Sequence, residues 1–276
     1  MQVQWFPGHM AKALRLVKEQ LKTVDIVIEV CDARAVMSSR NNELSSILNN
    51  KKRIVVFNKS SLADDIITAE WEKYFNASGE LFVFTDAVTK KGIKALFNIL
   101  IHKCAADKRY NRAVKAMVLG LPNVGKSMLI NCLSMSSGAK TGNRPGVTRG
   151  NQWIRLNSEL HLLDTPGVLM PKIESEEDAF NLVAIGCVKD TIFDKYAACI
   201  EIIQFLKFKY PHLLKSRYKL ENIDKSDDEI LADIALKRGF IVKGGEIDLN
   251  RCTDIIYDEF KNGVIGKISL QSPHII

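Results

Sequence analysis

The sequence predicts an α/β fold, with a parallel, doubly wound sheet within residues 1–173 and a small all-α domain over 174–276. Three observations carry that expectation. Short apolar, β-branched runs alternate with amphipathic stretches through the first two thirds of the chain, the rhythm of strands joined by crossover helices. After Pro171 the strand signal fades and helical spacing remains. The charge changes at the same place: residues 1–173 hold 25 basic and 14 acidic side chains, net +11, and residues 174–276 hold 14 and 18, net −4.

Each element has its own reason. A first helix is expected near Gly8–Lys22, where Lys12, Arg15, Lys18 and Lys22 share one face and Leu14, Val17 and Leu21 the other. Asp25–Cys31 (DIVIEVC) and Arg53–Asn58 (RIVVFN) are near-continuous apolar runs, as in strands covered on both faces. Helical spacing near Asn41–Asn49 separates them, and another helix near Thr68–Ala77 leads to the strand Leu81–Thr85 (LFVFT). Helix Gly92–Ala105, strand Lys115–Gly120 (KAMVLG) and helix Gly125–Leu133 come next, then strands Gln152–Leu156 (QWIRL) and Glu159–Leu163 (ELHLL). The tail reads as helices near Glu176–Cys187, Lys195–Phe208, Ser226–Arg238 and Leu249–Asn262. Ser226-Asp227-Asp228-Glu229 has the cap and acidic first turn of a helix start.

Composition excludes several classes. No apolar run is long enough for a transmembrane helix, and the first residues lack the apolar core of a secretory signal. The six cysteines are scattered without a C-x-x-C pair, which argues against a zinc site or disulfide framework and for reduced, buried thiols in a cytoplasmic protein.

Gly120-Leu121-Pro122-Asn123-Val124-Gly125-Lys126-Ser127 fits G-x-x-x-x-G-K-[ST], between a strand and a helix as that motif requires. Backbone N–H groups of Asn123, Val124, Gly125, Lys126, Ser127 and Met128 are expected around phosphate oxygens, with the helix N-terminus adding positive potential. Lys126 is expected to reach the β- and γ-phosphates and the Ser127 hydroxyl to ligate Mg²⁺. Downstream, Asp164-Thr165-Pro166-Gly167 gives a D-x-x-G at a strand end, with Asp164 on Mg²⁺ and the Gly167 N–H on the γ-phosphate. Between them, Thr148 lies in a Gly/Pro-containing loop and is the expected switch ligand of Mg²⁺.

A base-binding motif normally comes after D-x-x-G. Here Asn58-Lys59-Ser60-Ser61 stands upstream, at the end of RIVVF, and the next strand ends in Thr85-Asp86-Ala87. Base pieces first and phosphate pieces second make a circularly permuted P-loop G domain, a rearrangement that close termini tolerate.

Together these motifs resemble the circularly permuted ribosome biogenesis GTPase A (YlqF/RbgA) family over nearly the whole chain. Carrying the resemblance are Trp5-Phe6-Pro7-Gly8-His9-Met10-Ala11-Lys12-Ala13, Asp32-Ala33-Arg34, the shifted Asn58-Lys59, the P-loop, Pro145-Gly146-Val147-Thr148, Asp164-Thr165-Pro166-Gly167 and the Phe260–Ile268 ending. The resemblance implies a GTP-binding protein that hydrolyses GTP to GDP with Mg²⁺, acting in late assembly of the large ribosomal subunit through rRNA and ribosomal protein. In related GTPases a P-loop Asn at this spacing ligates K⁺ beside the phosphates, so Asn123 is read either as such a ligand or simply as a polar loop residue. A monomer off the ribosome is expected.

Two departures stand out. The family pattern is N-K-x-D, whose carboxylate takes two hydrogen bonds from guanine, and Ser61 occupies that place. The family has Ser-Ala in the second base loop, where this chain has Asp86-Ala87. Two readings stand side by side: an exchange in which Asp86 takes the guanine edge with Ser61 in support, or a solvated Asp86 with weakened guanine selectivity. Asp64 is a further stand-in, or the cap of the next helix.

The residue after D-x-x-G is Val168, which cannot hydrogen-bond to an attacking water. His9 is the candidate for that role, with a helix-start packing residue as the alternative. Arg144 and Arg149 suit phosphate or RNA equally. Trp5 and Phe6 suit base stacking or anchoring of the N-terminus. The basic clusters of residues 1–173 suit rRNA phosphates. A nucleotide-sensing RNA-binding module with weak or lost hydrolysis is the other function class the same residues fit.

Overall fold

The structure is a computed structural model and describes residues 15–41, 47–48, 51–105, 112–136, 152–165, 173 and 175–273. His9, Thr148 and Gly167, with Trp5, Phe6, Arg144, Arg149 and Val168, lie outside the described residues, as does most of the expected helix Asn41–Asn49.

Six strands form one sheet: β1 (Ile26–Asp32), β2 (Lys52–Asn58), β3 (Phe82–Phe84), β4 (Val114–Gly120), β5 (Gln152–Arg155) and β6 (Leu160–Asp164). Their order is β3-β2-β1-β4-β6-β5. Every residue of β1 is buried, as expected of a central strand covered on both faces. The β1–β2, β1–β4, β2–β3 and β4–β6 pairs are parallel. Strand order reverses between β1 and β4, and in such sheets ligands bind beyond the carboxyl ends at that switch point. Asp32, Asn58, Gly120 and Asp164 all end their strands on that edge.

One expectation needs correction. β5 runs antiparallel to β6, so the sheet is not wholly parallel. The cause is the short Leu156–Glu159 connection, in which Asn157 Oδ1 accepts from the Glu159 and Leu160 N–H groups. A link that short makes a hairpin and cannot cross the sheet.

The helix expected at Thr68–Ala77 is longer, Asp65–Ser78, because the Asp64 carboxylate caps the Ile66 and Ile67 N–H groups. Asp64 is therefore a cap. Helix Ile93–Ile99 continues as a π-helix over Leu100–Ala105, so the expected Gly92–Ala105 is one segment of two kinds. Trp71 and Phe75 pack with Phe57 and Phe84 in a buried aromatic cluster, with Phe57 centroids 5.0 Å from Phe75 and 4.9 Å from Phe84.

Chain contacts divide the described residues into two compact units, one drawn from 6–172 with 269–273, the other 173–268. The second is helical, with Glu176–Ala184, Lys195–Lys209, Pro211–Tyr218, Asp227–Arg238 and Leu249–Lys261. Ser226 and Glu229 form the expected capping box. Pro211–Tyr218 was not expected: it is only two turns, begins on a proline and has no clear apolar face.

The expected boundary assigned all of 174–276 to the helical domain. Residues 269–273 instead join the sheet-bearing unit. The Leu270 N–H donates to the Arg34 carbonyl at 2.7 Å. Gln271 Oε1 accepts from the Met37 and Ser38 N–H groups, and its carbonyl accepts from Trp71 Nε1. These are backbone-directed bonds to an extended segment, which leave no periodic trace in a sequence.

Candidate functional site

The site is organised around Asn58, which ends β2 and is 2% exposed. Its Nδ2 donates to the Val124 carbonyl in the P-loop at 2.9 Å. Its Oδ1 accepts from the Ala87 N–H at 3.1 Å and the Thr85 hydroxyl at 3.3 Å. One buried amide thus ties the phosphate loop to both base loops across the switch point. Both ends of the amide bond inside the fold, so it positions the loops on either side of it.

The P-loop glycines are required by close approach. Gly120 has φ 153°, and a Cβ there would stand 2.2 Å from the Val30 carbonyl oxygen. Gly125 has φ 92°, and a Cβ there would stand 2.4 Å from Asn58 Nδ2. Asn123 between them is left-handed at φ 62°, a conformation Asn tolerates. Lys126 opens the helix Lys126–Ser136, is largely buried, and donates to the Leu121 carbonyl at 2.6 Å, across the P-loop's own curve. Ser127 is half-buried beside it and Met128 is exposed. Asp164 is buried at the end of β6, whose partner β4 runs straight into the P-loop. A hydroxyl at a helix start and a strand-end carboxylate are hard oxygen donors that suit Mg²⁺ held chiefly by phosphate and water.

The base loops hold the most informative contact. Ser61 and Asp86, the two departures, bond directly: Asp86 Oδ2 accepts from the Ser61 hydroxyl and from its N–H at 3.3 Å. Asp86 Oδ1 accepts from the Val88 and Thr89 N–H groups, each at 2.8 Å. Burial opposes ionisation, but the bonds from Ser61, Thr89 and Val88 outweigh it and hold the carboxyl below its ordinary range. Asp86 is therefore not a solvated loop charge; it is 2% exposed and stays a carboxylate. The Cys132 thiol, on the P-loop helix, donates to the Ala87 carbonyl and closes this loop from behind.

Residues that the sequence offered only as a resemblance acquire a physical role. Asp32, fully buried, accepts from Arg34 Nε at 3.0 Å and from its guanidinium NH2 at 2.9 Å, and pairs with Lys59 Nζ at 3.0 Å. Lys59 is left-handed at φ 59°, so this pair pins the first base loop in a strained turn. Charged residues closing an otherwise apolar strand were the available signal. Burial alone would raise the Asp32 carboxyl, but Arg34 and Lys59 hold it well below the usual carboxylate range. A depressed carboxyl stabilises fully above its unfolded value, about pH 4, and the contribution is lost as pH falls toward the native value. Arg34→Met should cost about 2–4 kcal/mol at neutral pH, because it leaves the buried Asp32 charge with Lys59 as its remaining cation. Its urea-unfolding free energy should also fall less steeply than the wild type's below about pH 4. Equal stability of the two proteins at pH 7 would refute the role.

Known proteins are similar to this chain. The family model described as a 50S ribosome-binding GTPase matches residues 115–230, starting in β4 ahead of the P-loop. The ribosome biogenesis GTPase A of Bacillus licheniformis is 41% identical over 280 residues, covering 99% of each chain. That of Thermotoga maritima is 31% identical, covering 99% of this chain and 96% of its own. Among solved structures, the GDP-bound YlqF of T. maritima superposes with TM-score 0.72 at 27% identity, over 94% of this chain and all of that one. The same organism's GNP-bound YlqF gives 0.68 at 29%, over 95% and 98%.

Proposed function

The chain belongs to the ribosome biogenesis GTPase A family, and from that premise we propose that it hydrolyses GTP to time a late step of large-subunit assembly. The family is one of GTP-hydrolysing P-loop enzymes. The observation that best supports the reading is the Asn58 amide, which joins the P-loop to both base loops at the sheet's switch point.

Each residue's part comes from its chemistry. Lys126 neutralises charge on the β- and γ-phosphates. Ser127 and Asp164, with Thr148, are the oxygen donors that would hold Mg²⁺, which supplies charge neutralisation between the phosphates. Asn123 at its left-handed turn is assigned to K⁺. The Gly167 N–H is assigned to the γ-phosphate, and His9 to orienting the attacking water, since Val168 offers no hydrogen bond. In the base pocket the exchange is the better-supported reading. Ser61 holds the Asp86 carboxylate in the free protein, and Asp86 Oδ2 would exchange its bonds to Ser61 for the guanine edge, in place of the missing N-K-x-D aspartate.

The same premise assigns the partners. The large subunit's rRNA and protein form the docking surface, reached by the net +11 of residues 1–173. Among the described residues no helix is long and apolar enough to cross a membrane, and the cytoplasm is the assigned compartment. Phosphate release in K⁺, with and without immature large subunits, tests the function. Slow turnover alone and at least about tenfold stimulation by subunits is expected. Cosedimentation that depends on nucleotide, with no phosphate release under any condition, would replace this reading with a nucleotide-sensing RNA-binding module.

A further inference from the structure

The helical unit is acidic overall, yet it contains a basic cavity. A hollow of about 260 Å³ is lined by Arg217, Tyr218, Lys219, Lys237 and Arg238. These residues come from the last turns of two helices, Pro211–Tyr218 and Asp227–Arg238, and from Lys219, the left-handed cap that ends the first of them. Basic side chains are ordinary at helix C-termini, where they offset the helix dipole. The count here exceeds that need. Two helix ends bring about one negative charge between them, and Glu259 brings one more. Four cations face them.

The cations are arranged as well as numerous. Glu259 receives Arg217 Nε at 2.9 Å and, on its other oxygen, the Arg217 and Arg238 guanidiniums, so one carboxylate aligns both forks. Arg238 also lies over the Tyr218 ring, 5.6 Å from its centroid, which fixes its plane. Lys237 Nζ donates to the Lys219 carbonyl at 2.7 Å and holds the cap in place. The Lys219 ammonium is exposed and makes no ion pair among the described residues. Beneath them the Tyr218 hydroxyl is buried against the Glu259 carboxylate, and burial with that neighbouring charge and bond raises its pKa far above the ordinary value, so it stays protonated. Aligned guanidinium forks, flanking ammonium groups and a positive surplus are what a tetrahedral oxyanion requires.

We propose that this cavity binds a phosphate group, presented by an RNA backbone or by a free phosphorylated small molecule. The assignment stands apart from the nucleotide site, since none of its residues belongs to the P-loop or the base loops. It also changes the meaning of the unit's net −4: the acidic residues surround a local basic socket.

The test uses the full chain with its P-loop saturated by GDP and Mg²⁺. Two probes are titrated, a fluorescently labelled RNA duplex and inorganic pyrophosphate, against wild type, Lys219→Gln/Lys237→Gln and the control Lys243→Gln, an exposed lysine outside the cavity. The double variant should lose at least about fivefold in affinity for one probe, and the control should lose nothing. If that probe is RNA, the slope of log affinity against log salt should shrink by about one to two, the signature of lost phosphate contacts. Loss with RNA alone identifies a backbone phosphate, and loss with pyrophosphate alone identifies a small molecule. Equal affinities of wild type and double variant for both probes, or an equal loss in the control, overturn the proposal. Because a weakened fold could mimic the loss, melting temperatures of all three proteins are compared, and a loss of affinity that tracks a lowered melting temperature also overturns the proposal.

Discussion

Lys126→Ala should slow single-turnover GTP hydrolysis by about 10²–10³-fold, the range for removing one preorganised charge or donor from a developing anion. The fold should survive. The Lys126 ammonium bonds to a P-loop carbonyl, and the sheet strands on either side are held by their own ladders. Its effect is large because the side chain is nine-tenths buried, where charge is poorly screened. It sits inside a loop whose curvature is fixed by Gly120 and Gly125, positions where even a methyl group would strike Val30 or Asn58. The loop's curvature is thus set in advance, and the ammonium is expected to turn from the Leu121 carbonyl to the phosphates. Lys126→Arg should not restore the rate, since a planar guanidinium cannot stand in for the compact ammonium that bonds the Leu121 carbonyl. Phosphate release falling by less than about tenfold in Lys126→Ala, with circular dichroism unchanged, would move the catalytic charge elsewhere.

The parts legible in the sequence are those that chemistry forces into a fixed spacing. The P-loop is legible because backbone N–H groups can wrap a phosphate only with glycines at set intervals. The strands β1, β2 and β4 are legible because a strand buried on both faces must be apolar almost throughout. Their order could be inferred from the displaced Asn58-Lys59, since the base loops must meet the P-loop wherever they stand in the chain. What was not legible depends on short geometry or distant pairing. β5 alternates like any half-exposed strand, and only the length of its link to β6 fixes its direction. The return of 269–273 rests on main-chain bonds that any residues could make, apart from the side chains of Ser269 and Gln271. The basic cavity is invisible because Lys219 and Lys237 are far apart in a region whose total charge has the opposite sign. Asp86 was legible as an anomaly and Ser61 as its support; the geometry of their bond was not, because it depends on two loops from different strands.

That bond leads to the second large effect. Asp86→Asn should reduce affinity for GTP by about 100-fold while leaving ATP nearly unchanged, which collapses the discrimination between them. The magnitude comes from two hydrogen bonds to a charged acceptor, each worth about 1.5–3 kcal/mol. Asparagine is a better probe than alanine here. Its remaining carbonyl oxygen can still accept from Val88 and Thr89, so the loop keeps its turn. Its amide replaces the oxygen now facing Ser61 and turns an acceptor into a donor. A donor there opposes the guanine amino group but suits the 2-oxo group of xanthine, so xanthosine triphosphate should gain affinity in the same variant. Ser61→Ala should have a smaller effect, about tenfold or less, because it removes only the group that sets the carboxylate. The decisive comparison is the reciprocal pair Ser61→Asp/Asp86→Ser, which returns the carboxylate to the N-K-x-D position and should recover most of the GTP affinity lost by Asp86→Ser alone. Unchanged GTP-over-ATP preference in Asp86→Asn would show that Asp86 only shapes its loop. Recovery in the reciprocal pair cannot come from loop shape, since the restored carboxylate is presented by the loop after a different strand.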